Sequence, residues 1–219
     1  MRAIINIKHH RIGYSLFFVF CINFMWSSSA YEYILLPKDA RSLALSNSAS
    51  AYNRTSLLNN PSALAKTRKT IVYSLLFFPS DIHSGEFQMI TEKFKGILAN
   101  KISILNYGTI TDSETNHRIS AYDMLIACGY KKEVYDIISI GFSSTFMHSS
   151  IAGFKSNVIF YNIGIRSQLL NNNAGVGVSI ENIPFVINSY TNIKENISKN
   201  IRYSIYYNPK YIPLIINTD

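Results

Sequence analysis

Disulfide cross-links have almost no raw material in this chain, because Cys21 and Cys128 are the only cysteines among 219 residues. If an N-terminal leader is removed, as argued below, Cys128 stands alone, and no intrachain bridge can form even in an oxidising compartment. Charge is also scarce, at 16% of residues against 47% hydrophobic, which is apolar for a soluble protein of this length. Beyond residue 30 no apolar run approaches the ~20 residues that a membrane-crossing helix needs, so a helical membrane protein is not expected. Lysine and arginine are scattered and no nucleic-acid motif accompanies them, which argues against DNA or RNA as a partner. Basic loops beside anionic lipid head groups account for the pI of about 9.4.

What is present begins with the N-terminus. Arg2, Lys8 and Arg11 form a basic leader, residues 12–26 are almost wholly apolar, and Ser28-Ser29-Ala30 offers small residues at a peptidase site. A signal peptide over 1–30, cleaved after Ala30, is expected; an anchor helix is the competing reading. Lipidation at Cys21 is not expected, since Phe18-Val19-Phe20 are bulky where a lipobox has small residues. The leader holds three of the 21 basic residues and none of the 13 acidic ones, so the remainder carries +5 rather than +8.

The rest divides at about residue 70. Within 31–69, Asp39 to Tyr52 is rich in Ala, Ser and Leu, and Ser56 to Lys66 follows, which predicts two short helical or turn-like pieces, the second interrupted by Pro61. Asp39 can cap the first piece by accepting unpaired N–H groups. Asn60-Pro61 forms the turn into the first strand, because proline biases the residue before it away from helix. From Thr70 the period becomes two. In 121–130, Tyr122, Met124, Ile126, Cys128 and Tyr130 oppose Ala121, Asp123, Leu125, Ala127 and Gly129. The same split recurs in 137–146, 159–168, 175–181 and 201–207, with less regular runs at 71–78, 85–94, 97–107 and 211–217, giving about nine strands. Short connectors such as Asn171-Asn172-Asn173 make them an antiparallel up-and-down meander.

A meander over 70–219 can bury its greasy faces in a soluble sandwich or turn them to lipid as a barrel. The leader, the aromatic residues near strand ends (Tyr107, Tyr122, Tyr130, Tyr135, Phe146, Tyr161, Tyr203, Tyr207) and the Gly and Ser of the opposite rows favour an all-β outer-membrane barrel facing outer-membrane lipid. In that orientation Arg166, Gln168, Glu181 and Arg202 face the interior, as a charge network or the lining of an aqueous pore. A one-residue slip would turn them all outward. Phe142→Arg is then expected to be costly and Ser143→Arg milder. Cys128 falls on the greasy row and acts as a small apolar residue.

Residues 39–52 and 58–65 carry a resemblance. Asp39-Ala-Arg41-Ser-Leu43-Ala-Leu-Ser-Asn-Ser-Ala-Ser-Ala-Tyr52, then Asn60-Pro61-Ser-Ala-Leu64-Ala65, resembles the N-terminal signature of the PorV/PorQ outer-membrane proteins, FadL-like barrels associated with type IX secretion. Residues 162–166, 175–182 and 201–209 are similar to that family's middle strands in order and spacing. Departures occur at Ser46 and Asn47, which replace family glycines, and at Asn53-Arg54-Thr55, where acidic residues are common. The chain has fewer strands than the family's fourteen or so, which implies a truncated member, a smaller barrel or one needing partner strands. The resemblance implies a plug-like 31–69 segment and a non-enzymatic role in handling or attaching exported cargo proteins with other secretion components. A channel for hydrophobic small molecules is the alternative, and a soluble secreted β-sandwich the second.

Enzyme chemistry finds little purchase. His83, His117 and His148 are the lipase-type candidates, but no Gly-x-Ser-x-Gly elbow accompanies them. Asp112 and Glu114 lack the other oxygen ligands a calcium ion needs. Gly175-Val-Gly177 lies in a strand, where glycine relieves crowding rather than cradling phosphate. The sequons at Asn53 and Asn196 carry no weight in a bacterium. No cofactor or metal is expected.

Overall fold

The computed structural model describes residues 31–219 apart from 37, 38, 46, 49, 53–56, 112–117, 171, 172, 191–196, 198 and 213. The expected leader with Cys21, and Ser46, Asn53-Arg54-Thr55, Asp112, Glu114, His117, Asn171-Asn172, Asn196 and Ser198, lie outside those residues.

Alternation of bulky and small residues produces one sheet. Its strands are β1 (Lys69–Phe77), β2 (His83–Lys93), β3 (Gly96–Thr111), β4 (Arg118–Tyr135), β5 (Ile138–Ile151), β6 (Phe154–Leu169), β7 (Ala174–Asn188), β8 (Asn200–Tyr207) and β9 (Ile216–Thr218). They pair in sequence order and antiparallel throughout, so the fold is an all-β meander with no crossover. The pairing is linear: β1 and β9 each have one neighbour in the sheet. Most strands outrun the periodic stretches, since β4 and β5 extend to their two-residue connection at Asp136-Ile137. The run at 211–217 is the exception. Only Ile216–Thr218 is strand, because Ile212-Pro-Leu214 includes a proline, which offers no N–H to a ladder.

Two register shifts matter. One falls between Asn106 and Thr109 of β3. The other, between β6 and β7, is built on Asn182, whose φ of 59° suits asparagine's tolerance of the left-handed region.

The described residues of 31–64 form no strand and lie on one face of the sheet. They contain a 3₁₀ turn at Glu32–Leu35, a one-turn helix α1 (Ala40–Ala44) and a second 3₁₀ turn at Pro61–Ala63. Asp39 caps α1: its carboxylate accepts from the Ser42 amide at 2.9 Å and from the Ser42 hydroxyl at 2.6 Å. Pro61 does not interrupt a helical piece as expected; it begins one, at the first position of the turn, where its missing N–H costs nothing.

The core lies between this segment and the sheet. Tyr31, Tyr33, Ile34, Leu57, Leu58 and Leu64 meet Ile90, Ile97, Leu105, Leu125, Met147, Val158 and Phe160 from β2 to β6. The inner face therefore contributes more apolar surface than its glycines and serines suggested. The opposite face has no covering layer among the described residues. Its rows, including Tyr73, Phe87, Ile102, Ile126, Phe142, Ile165, Val178 and Tyr203, are all exposed.

Candidate functional site

Glycines in the middle strands leave a floor on which the Asn60-Pro61 turn sits. Gly141 of β5 and Gly164 of β6 are direct cross-strand partners. A Cβ on Gly141 would collide with the Pro61–Ser62 backbone, and one on Gly164 with the Asn60 side chain. Leu57 occupies the equivalent space above Gly129. Small residues here are thus a shape requirement of the inserted segment.

Polar side chains beside this floor satisfy the segment's irregular backbone. Lys131 donates to the Leu64 carbonyl at 2.9 Å, Ser139 to that of Ser62 at 3.0 Å, and Asn162 to that of Leu58 at 3.0 Å. The Asn162 carbonyl oxygen accepts from the Asn182 amide at 2.7 Å, which ties the β7 bulge into the same cluster. Buried non-helical backbone needs such partners wherever water cannot reach it. Asn60 completes the turn itself, accepting from the Ser62 amide at 3.0 Å.

Charges are sealed inside the fold. Glu86 and Lys101 approach to 2.5 Å with both side chains essentially inaccessible. Arg166 is 1% exposed, lies 5.5 Å over the Tyr206 ring and donates to its hydroxyl at 3.4 Å. Glu181 is buried and ion-paired at 3.2 Å with half-buried Arg202, which also donates to the Asn47 carbonyl at 3.1 Å and pairs with Asp219 at 3.2 Å. Asp219 in turn accepts from the Ser50 amide at 2.9 Å. Gln168, on the same row as Arg166, is half-buried near the end of β6. All four residues lie on the face that meets the 31–64 segment, and the buried ones are packed against protein.

The ends of the strands differ. At the entry end, where residues 64–69 lead into β1, Lys66 pairs with Glu133 at 3.0 Å, and Lys131 lies 3.6 Å from the same carboxylate. That hydrogen bond raises the Lys66 pKa. At the far end a hydroxyl cluster closes the inner face. Tyr107 donates to Asp123 at 2.7 Å, Ser149 bonds Asp123 and Tyr190 bonds Ser149, while Tyr31 stacks on Tyr190 and shares a 2.5 Å hydrogen bond with Ser156. Tyr33 bonds Ser103 at 2.7 Å, and its burial raises its pKa.

Of the residues singled out from the sequence, Asp39, Asn60, Pro61 and Leu64 are buried parts of the inserted segment, whereas Arg41 and Leu43 are exposed. Arg41 lies 5.9 Å over the Tyr52 ring. Reading the sequence missed the Glu86–Lys101 pair, Asn162 and Lys131. Their only signal was a charged or amide residue on the small-residue row. It also missed the packing at Ser143, which is fully buried with its hydroxyl directed at the Leu57 carbonyl. Ser143→Arg is therefore not the mild change expected, because that row faces packed protein rather than an aqueous lumen. His83 and His148 approach no serine–carboxylate pair in hydrogen-bonding positions, and Cys128 is exposed on the apolar row.

These features define a class: an antiparallel all-β meander whose apolar face points out and whose polar face holds its own N-terminal segment. No family model, no curated protein and no solved structure matches the chain.

Proposed function

We propose that this chain is a non-enzymatic outer-membrane protein of barrel type, with residues 31–69 as its plug, and that it handles or attaches exported cargo at the cell surface as the PorV/PorQ proteins it resembles do. One observation carries the membrane part: the sheet is inside out relative to a soluble protein, with Ile, Phe, Val and Tyr exposed on row after row and Glu86, Lys101 and Arg166 buried. An exposed apolar face of this extent is foreign to a monomer in water and suits lipid. The outward row of β4 is apolar from Tyr122 to Tyr130, about 26 Å of strand, and carries a tyrosine at each end. At the entry end the connections 94–95, 136–137 and 170–173 are short and 208–215 is long; at the other end 78–82, 112–117 and 189–199 are longer and 152–153 is short, so three of four connections at each end follow the asymmetry. That asymmetry favours the entry end as the periplasmic one.

The cargo part rests on the resemblance and on an interior that is filled. A pore or a hydrophobic-solute channel needs an open path, whereas here the segment packs against inner-face residues from β2 to β8. Cells expressing the full chain are to be fractionated and the product run on mild-detergent gels with and without boiling. The expected result is outer-membrane recovery with a shift on boiling; recovery as a soluble species would sink the membrane reading. In liposomes, the filled interior is expected to pass no small solutes, and swelling in sugar solutions would favour the channel.

A further inference from the structure

Outward rows of the sheet end in lysine at the entry end. Lys69 stands two residues before Ile71 in β1, Lys93 two after Thr91 in β2, and Lys132 two after Tyr130 in β4, with Lys95 on the turn between β2 and β3. All four are exposed and none is in an ion pair among the described residues. Of the nearby acids, Glu92 and Glu133 line a pocket at the mouth with Lys66, Lys95 and Lys131, on the inner side, so Lys95 borders both sets, and Asp136 stands exposed on the β4–β5 turn.

The turn is built to hold its position. Phe94 and Lys95 have φ of 56° and 58°, the left-handed pair of a tight two-residue hairpin, and the Tyr130 hydroxyl donates to the Phe94 carbonyl at 2.8 Å. Phe94 is thereby presented between two lysines with 79% of its surface exposed. The far end also carries exposed basic residues on its outward rows, Arg118 of β4 and Lys155 of β6. Beside them, however, Tyr122, His148, Asn157 and Asn188 are joined side chain to side chain at 3.4, 2.7 and 2.7 Å, so the polar groups of that chain largely satisfy one another.

We propose that Lys69, Lys93, Lys95 and Lys132 form a collar that binds the phosphates of anionic membrane lipids at the entry end, with Phe94 and Tyr130 seated at the boundary between acyl chains and head groups. This inference rests on the outward face meeting lipid. Three of the lysines stand on the sides of strands, continuous with the apolar rows, so the group they meet is joined to the acyl phase. A protein approaching along the strands would meet the turn tips instead. An ammonium is a compact charge suited to phosphate, and each one near an anionic surface is worth about a fivefold gain in retention.

The test places the full chain in nanodiscs of phosphatidylcholine carrying a minor share of phosphatidylglycerol and counts the lipids retained on release by native mass spectrometry. Wild type is expected to retain phosphatidylglycerol selectively. The triple Lys→Gln change at 69, 93 and 132 is expected to reduce this on the order of a hundredfold, and the Lys→Arg triple to preserve it, which separates lost charge from misfolding. Arg118→Gln with Lys155→Gln at the far end is the control and is expected to leave retention unchanged. Equal loss in that control, no preference in wild type, or displacement by millimolar inorganic phosphate would each overturn the collar while leaving the membrane reading standing. Failure of wild type to enter any bilayer would overturn both.

Discussion

The two faces of the sheet are made from the same strands and obey opposite rules. Outward rows tolerate any large apolar residue, because each side chain points away from the protein and touches only its cross-strand neighbours. Inward positions are individual: Gly141 and Gly164 exist because backbone passes over them, Lys131 and Asn162 because a carbonyl needs a donor, and Glu86 because Lys101, diagonal to it on β3, lies 2.5 Å away. The outer face is specified by composition and the inner face by contact.

Breaking the buried pair is expected to separate the faces most. Lys101→Met leaves Glu86 charged and alone and should cost about 3–5 kcal/mol, whereas joining it with Glu86→Gln should recover most of the loss. Denaturant or thermal unfolding of the refolded protein measures both, and equal stability of the single and double variants would contradict a sealed ion pair. Phe142→Arg, on the outward row, should cost about 2–4 kcal/mol if its position lies near mid-membrane, read in the same assay in bilayers. An unchanged value would place that face in water.

Gly164→Val should cost roughly 1–3 kcal/mol by overpacking, and limited proteolysis should then cut within residues 57–64 while the strands stay protected. Uniform digestion would mean that the segment and sheet unfold as one unit. Asn162→Ala removes the donor to Leu58 and the acceptor for Asn182 and should cost about 1–3 kcal/mol, visible as faster amide exchange at Asn182. Smallest of all, Lys66→Gln should change stability by less than about 1 kcal/mol, because its pair with Glu133 is solvent-exposed; a larger loss would make that contact part of the seal.

Much of this was legible in the residues. Period-two alternation located eight of the nine strands, and their order followed from short connectors. It overreached at 211–217, where alternation-like runs of Ile and Leu contain a proline, and it misjudged Pro61, which starts a 3₁₀ turn. Arg166, Glu181 and Arg202 were assigned to one row correctly in parity, but a pattern of parity says nothing about what stands opposite. For the same reason Ser143 was misread as bordering an aqueous space.

The sequence by itself determined that the chain would form an antiparallel meander with one greasy and one small-residue face, because the β-strand's two-residue period converts alternation directly into sidedness. Only the tertiary structure decided that the described residues of 31–64 lie on the small-residue face, where Glu86, Lys101 and Arg166 are sealed from solvent. That arrangement depends on contacts such as Lys131 with Leu64, 67 positions apart, and Arg202 with Asn47, 155 positions apart, and no local period records them.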